Sequence, residues 1–167
     1  MTVRPILLWP DPKLLKPCAP VEAVTDAERE IWDDMIDTMD AMPGVGLAAP
    51  QVGVLLRLAV VDASDARNKR IRLANPEILD VSAKINTHDE ASPCLPGVSA
   101  KVDRPRGVKV RFLDETGAVR ERDFVGLEAT SVQHQIDHLE GKLYVDRLSK
   151  MKRDMLLRRS RKLAGRS

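Results

Sequence analysis

An α+β fold, with mixed or antiparallel sheet packed around one central helix, is what this sequence predicts. Three observations carry it. Residues 26–39 repeat apolar side chains at helical spacing behind a capping box, and residues 108–125 alternate about a tight turn as a hairpin does. Residues 126–139 form a second helical pattern whose apolar stripe shares its turns with two histidines.

Taken in order, Pro5, Pro10, Pro12, Pro17 and Pro20 set the opening segment as an extended, ordered strap rather than a helix. Thr25-Asp26-Ala27-Glu28 has capping-box spacing, and Ile31, Met35, Ile36 and Met39 continue it as an amphipathic N-terminal helix ending near Pro43-Gly44. Its methionines are read as core. Gly44-Val45-Gly46-Leu47-Ala48-Ala49-Pro50-Gln51 reads as a small-residue loop. Residues 55–62 follow as a buried strand, and 71–74 and 78–81 as two further strand segments on either side of Asn75-Pro76. Val108, Val110 and Phe112 alternate with charged residues, Asp114-Glu115-Thr116-Gly117 turns the chain, and 118–125 returns. Gly126 opens the central helix with its stripe of Ala129, Val132, Ile136 and Leu139, and Gly141 closes it. Residues 150–166 hold eight Lys or Arg and one acid, with Met151, Met155, Leu156 and Leu163 interleaved at near-helical spacing. This C-terminal helix lays one face on the domain or docks on an anionic surface. No repeat or linker divides the chain, so 1–167 is read as one domain.

Composition narrows the class. Hydrophobic residues at 43% and charged residues at 31% fit a globular protein, and aromatics at 3% require an aliphatic core. A net charge of +2 is too small for a global field directed at nucleic acid. Neither a signal peptide nor a run of apolar residues long enough for a membrane span is present, and Cys18 and Cys94 are read as reduced thiols. The expectation is a cytoplasmic protein without membrane contact. Cys18, Trp9 and Trp32 are assigned to packing, and His88 to a loop.

The chemistry begins at Gln133-His134-Gln135-Ile136-Asp137-His138. Histidines four apart on a helix share a face one turn apart, where both imidazoles can grip one metal ion. Read alone, the pair is also compatible with two satisfied histidines. Cys94, in the proline-bracketed loop Ser92-Pro93-Cys94-Leu95-Pro96-Gly97, is a plausible third donor. One thiolate and two imidazoles leave a fourth position open and suit Zn²⁺ or Fe²⁺. In metallohydrolase helices the residue after the first histidine is a Glu that moves protons; here it is Gln135, which has the same shape and does not titrate. Asp137 is either an acceptor orienting an imidazole or a solvated charge.

Three segments together resemble one family. Gly44–Gln51, the Cys94-Leu95 loop, and Gln133-His134-x-x-Asp137-His138-Leu139-x-Gly141 stand in the order and approximate spacing of peptide deformylases. The strap, the hairpin and residues 143–148 are also similar, so the resemblance covers nearly the whole chain. It implies removal of the N-formyl group from nascent polypeptides beginning with formylmethionine. It implies Cys94, His134 and His138 as ligands of one divalent metal, Fe²⁺ most often and Zn²⁺ as a common occupant. Gln51 and the backbone N–H of Leu95 take the place of the family's oxyanion donors. Val45 and Gly46 fall beside the substrate's methionine pocket and backbone, and Leu127 and Thr130 at further pocket positions. The basic C-terminal helix takes the place of one that the family associates with the ribosome.

Two departures accompany the resemblance. Gln135 occupies the position of the catalytic Glu, whose loss should cost roughly 10²- to 10⁴-fold in rate. The family's Glu-Gly-Cys-Leu-Ser reads Ser92-Pro93-Cys94-Leu95-Pro96, so the carboxylate expected to pair with an arginine at Arg106 is missing from its place, with Glu90 or Asp89 as substitutes. One change alone would fit an engineered inactivating substitution, whereas two changes in separate motifs better fit a natural divergent paralogue. The readings that remain are a deformylase of reduced or lost activity, a silent metal- and formyl-peptide-binding paralogue, and a deacylase for another N-acyl group. A zinc-helix protease fits least, because its third ligand is not Cys.

Overall fold

The computed structural model describes residues 2–165; Met1, Arg166 and Ser167, which the single-domain span and the basic tail included, lie outside the described residues. The described chain carries three α-helices, α1 (Asp26–Ala41), α2 (Gly126–Leu139) and α3 (Lys150–Ala164). Its strands are β1 (Gly46–Ala48), β2 (Leu58–Val61), β3 (Ile71–Val81), β4 (Ile85–Glu90), β5 (Ala100–Pro105), β6 (Gly107–Leu113) and β7 (Val119–Val125). Every ladder between these strands is antiparallel: a five-stranded sheet in the order β1-β2-β3-β6-β7, and a separate β4-β5 pair. This is the α+β class that the sequence predicts.

Helix α2 is the axis of the molecule. Each residue from Ala129 to Leu139 is buried, which places the helix inside the core rather than on it. Ala129, Val132 and Ile136 pack against Val61, Leu73, Val110 and Phe124 of the large sheet. On another side, Trp32, Met35 and Met39 of α1 fill a cluster with Leu47, Leu58 and Val60. Leu95, Val98 and Val102 form a third cluster with Leu143, Tyr144, Leu156 and Leu157. The capping box is as the sequence predicts: Thr25 accepts from Ala27, and Glu28 accepts from the Thr25 N–H at 2.9 Å.

Several elements differ from expectation, each for a local reason. The small-residue stretch is not a loop throughout, because Gly46–Ala48 pairs with β2 and Ala49–Val52 closes a 3-10 turn. β2 is shorter than 55–62. The two segments around Asn75-Pro76 are one strand: bulges absorb the proline, and Asn75 at φ +50° ties its amide to the Val21 N–H and carbonyl, both at 2.9 Å. β4 and β5 carried no signal, since Ile85–Glu90 contains a single apolar residue and that one faces solvent. His88, expected in a loop, lies in β4.

The strap turns at Trp9-Pro10, where the Asp11 N–H donates to the Leu8 carbonyl at 2.9 Å, contains a 3-10 turn at Pro12–Leu15, and forms no α-helix. Its backbone reaches all three motif segments. Leu7 N–H donates to the Gln51 carbonyl at 2.8 Å, Trp9 N–H to Cys94 at 3.0 Å, and Cys18 N–H to Leu139 at 2.8 Å. Gly141 abuts it so closely that an added Cβ would stand 2.8 Å from the Lys16 backbone, and its φ of +77° also favours glycine. Among the described residues no helix is long and apolar enough to cross a membrane.

Candidate active site

The buried turns of α2 face a pocket of about 370 Å³, within the range of small-ligand sites. β1 supplies Gly46 and the preceding Val45, the 3-10 turn supplies Gln51, the β4–β5 connection supplies Ser92, Pro93 and Leu95 to Val98 but not Cys94, and α2 supplies Leu127, Thr130, Ser131, His134 and Gln135. The fold thus brings the three motif segments to one cavity.

His134 and His138 are both buried, with Nε2 atoms 3.2 Å apart. The His134 Nδ1–H donates to Glu90 Oε1 at 2.8 Å, which leaves its Nε2 lone pair facing His138. His134 also stacks on Tyr144, with centroids 5.8 Å apart. Burial, and then the charge His134 can carry, push the His138 pKa well below its ordinary value, so its ring is neutral. Its Nδ1 is buried and lacks a hydrogen-bond partner among the described residues.

Cys94 is 1% exposed, and its Sγ accepts from Gln51 Nε2 at 3.3 Å. Burial raises its pKa, with hydrogen bonds from Gln51 and Ser92 opposing. Gln51 is held at both ends: Oε1 accepts from the Ala48 N–H at 2.9 Å, and Nε2 also reaches Ser92 Oγ at 3.3 Å. The Leu95 N–H donates to the Ser92 carbonyl at 3.0 Å. Both groups implied as oxyanion donors are therefore engaged within the loop.

Gln135 is 4% exposed, and its Oε1 is buried without a hydrogen-bond partner among the described residues. Gly46 packs on this amide, where a Cβ would come within 2.5 Å of Nε2. Val45 and Leu127 stand half-exposed at the rim, an apolar border to the cavity. Thr130 Oγ1 is bonded to His88 Nδ1 at 3.0 Å, which gives that histidine a partner the sequence did not reveal.

The charged groups behind α2 differ from expectation in identity. Arg106 is exposed, whereas Arg104 is fully buried and binds Glu90 through Nε at 2.6 Å and Nη2 at 2.9 Å. Glu90 thus pairs with Arg104 rather than with Arg106, and it stands four residues before Cys94, where the family's Glu stands two before its cysteine. Asp137 neither orients an imidazole nor sits in solvent. It pairs with Arg104 at 2.9 Å and with both donors of Arg147 at 2.8 Å. For Glu90 and Asp137 alike, burial works to raise the pKa, and hydrogen bonds from His134 and Arg104, or from Arg147 and Arg104, outweigh it and hold the carboxyls ionised. Sequence reasoning also missed Ser92, and Ser131, whose hydroxyl donates to the Val45 carbonyl at 3.0 Å. Ser131 stands one helical turn before Gln135, the spacing that could have flagged it.

Two imidazole nitrogens on one tetrahedral ion at about 2.0–2.1 Å lie about 3.4 Å from each other. The separation of 3.2 Å and the inward lone pair of His134 fit that arrangement. No three His, Cys, Asp or Glu side chains close on one point among the described residues. The imidazole pair is the part of the set in contact; Cys94 is buried against Gln51 and does not line the pocket, whereas Ser92 does.

Antiparallel sheet wrapped on a buried helix that carries a pair of histidines, His134 of them lining a pocket, defines an α+β scaffold with a candidate metal site at its centre. The family model described as Polypeptide deformylase matches residues 3–154. A peptide deformylase of Mesorhizobium japonicum is 41% identical over 166 residues, 98% of this chain and 94% of its own length. The crystal structure of a peptide deformylase from Legionella pneumophila superposes with a TM-score of 0.90 at 41% identity, covering 97% of this chain and 95% of that one. That of the Ehrlichia chaffeensis peptide deformylase in complex with actinonin gives 0.91 at 34% identity, covering 97% and 98%. The chain belongs to the polypeptide deformylase family.

Proposed function

We propose that the chain is a hydrolase of N-formylated peptides whose rate lies far below that of a Glu-bearing relative. The carrying observation is Gln135, buried at the pocket wall in the turn between the two histidines, with Oε1 unpartnered. Cys94, His134 and His138 would hold one divalent metal, Fe²⁺ first and Zn²⁺ second. Such a metal supplies Lewis acidity to the formyl carbonyl and to water. Glu90 fixes the His134 tautomer, and Gln51 with the Leu95 N–H would turn from the loop toward the developing oxyanion. The apolar rim of Val45 and Leu127 favours a methionine side chain, and Gly46 admits the peptide backbone. The Gln135 amide can orient a water or the formamide, but it has no proton affinity near pH 7 with which to carry a proton to the leaving amine.

A second reading, a silent formyl-peptide-binding paralogue, is favoured by the engagement of both oxyanion donors inside the loop. Formate release from formyl-Met-Ala-Ser by anaerobically prepared Fe²⁺ protein separates the readings, with Gln135→Glu alongside. The variant should exceed the parent by roughly 10²- to 10⁴-fold. An equal rate in the parent overturns the role given to Gln135. Peptide binding without formate release selects the silent paralogue, and silence in both proteins toward formyl groups directs the search to other acyl groups. A cytoplasmic site of action goes with this reading, and the free thiols of Cys18 and Cys94 support it. The basic outer face of α3 would dock on the ribosome through its lysines and arginines.

A further inference from the structure

The loop that presents Cys94 and Leu95 is gripped from outside by α3. Ser160, 2% exposed, does not bond back to its own helix, the usual resort of a helical serine. Its hydroxyl crosses to the Pro96 carbonyl at 2.9 Å. Three residues on, Leu163 lies over Gly97, where its Cδ1 would stand 2.6 Å from an added Cβ. Gly97 has φ +78°, so both its backbone and its missing side chain are required by this contact. Leu156 and Leu157, on the same face of α3, pack in one cluster with Leu95 and Val98. Leu95, Pro96, Gly97 and Val98 all line the pocket. Four side chains of one helix thus hold four consecutive residues of the cavity wall, including the one whose N–H is an implied oxyanion donor.

We propose that α3 is a positioning element for this pocket, with Ser160 and Leu163 acting through Pro96 and Gly97, so that peptide occupancy and the seating of α3 are coupled. The inference rests on the reading of the pocket as a formyl-peptide site. Its physical basis is reciprocity: if the seated helix favours the wall that binds peptide, bound peptide must favour the seated helix by the same factor. The coupling needs no large movement, because the contacts are a single hydrogen bond and a side chain over a glycine. Loss of either frees the wall to drift by a fraction of an ångström.

The test measures affinity for formyl-Met-Ala-Ser and amide hydrogen exchange, in the full chain and in Ser160→Ala, Leu163→Ala and, as a control on the outer face, Met151→Ala. Ser160→Ala should weaken binding about three- to tenfold, the span of one net hydrogen bond. Free Ser160→Ala protein should exchange faster at Cys94, Leu95 and Val98, and added peptide should slow exchange across 157–164 in the parent and less in either inner-face variant. Met151→Ala should match the parent throughout, a result that a general loosening of the fold would not give. Parental affinity in both inner-face variants, with no protection of α3 by peptide, overturns the coupling. If the parent binds no formyl peptide, the pocket reading itself fails. Exchange in the free proteins then decides, and unchanged protection at Cys94, Leu95 and Val98 in Ser160→Ala overturns the grip.

Discussion

Glu90 Oε1 stands 2.8 Å from His134 Nδ1, and this one contact sets the tautomer of the first motif histidine. The same carboxylate is clasped by Arg104, which reaches on to Asp137, which in turn holds Arg147 at the surface. A chain of alternating charges therefore runs from the solvent to the back of an imidazole that faces the pocket.

Removing the centre of that chain should cost far more than removing its end. Arg104→Met leaves two buried carboxylates without their shared cation and should destabilise by about 3–5 kcal/mol in urea unfolding. Arg147→Met, whose side chain is 44% exposed, should cost no more than about 1 kcal/mol. Equal losses in the two variants would refute the description of Glu90, Arg104 and Asp137 as one buried network.

Metal should stabilise the fold through the motif residues. Zn²⁺ at 100-fold over its dissociation constant adds about 2.7 kcal/mol to a protein that binds it only when folded. Calorimetry should show Tm rising with Zn²⁺ in the parent and staying flat in His138→Ala and Cys94→Ala. A rise of the same size in both variants would place the metal elsewhere.

The hairpin turn carries an acid-sensitive contribution. Asp114 accepts from Thr116 Oγ1 at 2.6 Å and from Arg120 Nε at 2.7 Å, and these bonds, Thr116 first, hold its carboxyl well below the usual range. A depressed folded pKa means stability that is present above the unfolded value of about 3.9 and is lost as pH falls through the folded one. The Tm difference between parent and Asp114→Ala should therefore hold from neutrality to about pH 4 and shrink below it. A gap that stays constant into strong acid would show that the turn does not depend on that charge.

How much was legible in advance follows from which forces act locally. The α1 capping box, the β6–β7 hairpin and the stripe of α2 are written at spacings of a few residues, and each stands where it was expected. The β4–β5 pair was not legible, because Ile85–Glu90 is held by its partner strand and by Glu90 reaching Arg104, contacts made across the fold rather than along it. The same reason hid Arg104 behind Arg106, and gave Asp137 and His88 partners that no window could show. The segments that carry Gln51, His134 and Gln135 stand out in the sequence because their residue types are rare and ordered, and the fold brings these three to one pocket, while Cys94 lies outside its lining. The engagement of Gln51 and the Leu95 N–H by Ser92 was not, since it depends on the path of one turn.

Gly46 is a sharp probe of the pocket wall. In Gly46→Ala the new methyl group must push against the Gln135 amide and Ser131 Oγ, at 2.5 and 2.6 Å. Overpacking should destabilise the fold by about 1–3 kcal/mol in urea unfolding, and the displaced wall should weaken formyl-peptide affinity, read from a binding isotherm. Unchanged affinity would remove Gly46 from the peptide's path.

Both thiols should be silent in the native protein. Burial pushes Cys18 up to about 11 and raises Cys94 as well, so a disulfide reagent at pH 8 should titrate neither until urea is added, and then both. Rapid native labelling of Cys94 would mean that the loop opens far more readily than its contacts with Gln51 and Trp9 allow.

The strap gives the molecule an unusual dependence on its own order of synthesis. Leu7, Trp9 and Cys18 leave the ribosome first, yet their backbone partners are Gln51, Cys94 and Leu139, the last of them near the end of the chain. Contacts this distant close late, after the intervening loops have paid their entropy. The cavity cannot be laced shut until α2 has been translated, so a chain stalled before Leu139 leaves Cys18 unmoored and the histidines unassembled. Synthesis as far as α2 is in this way built into the site as a condition for having one.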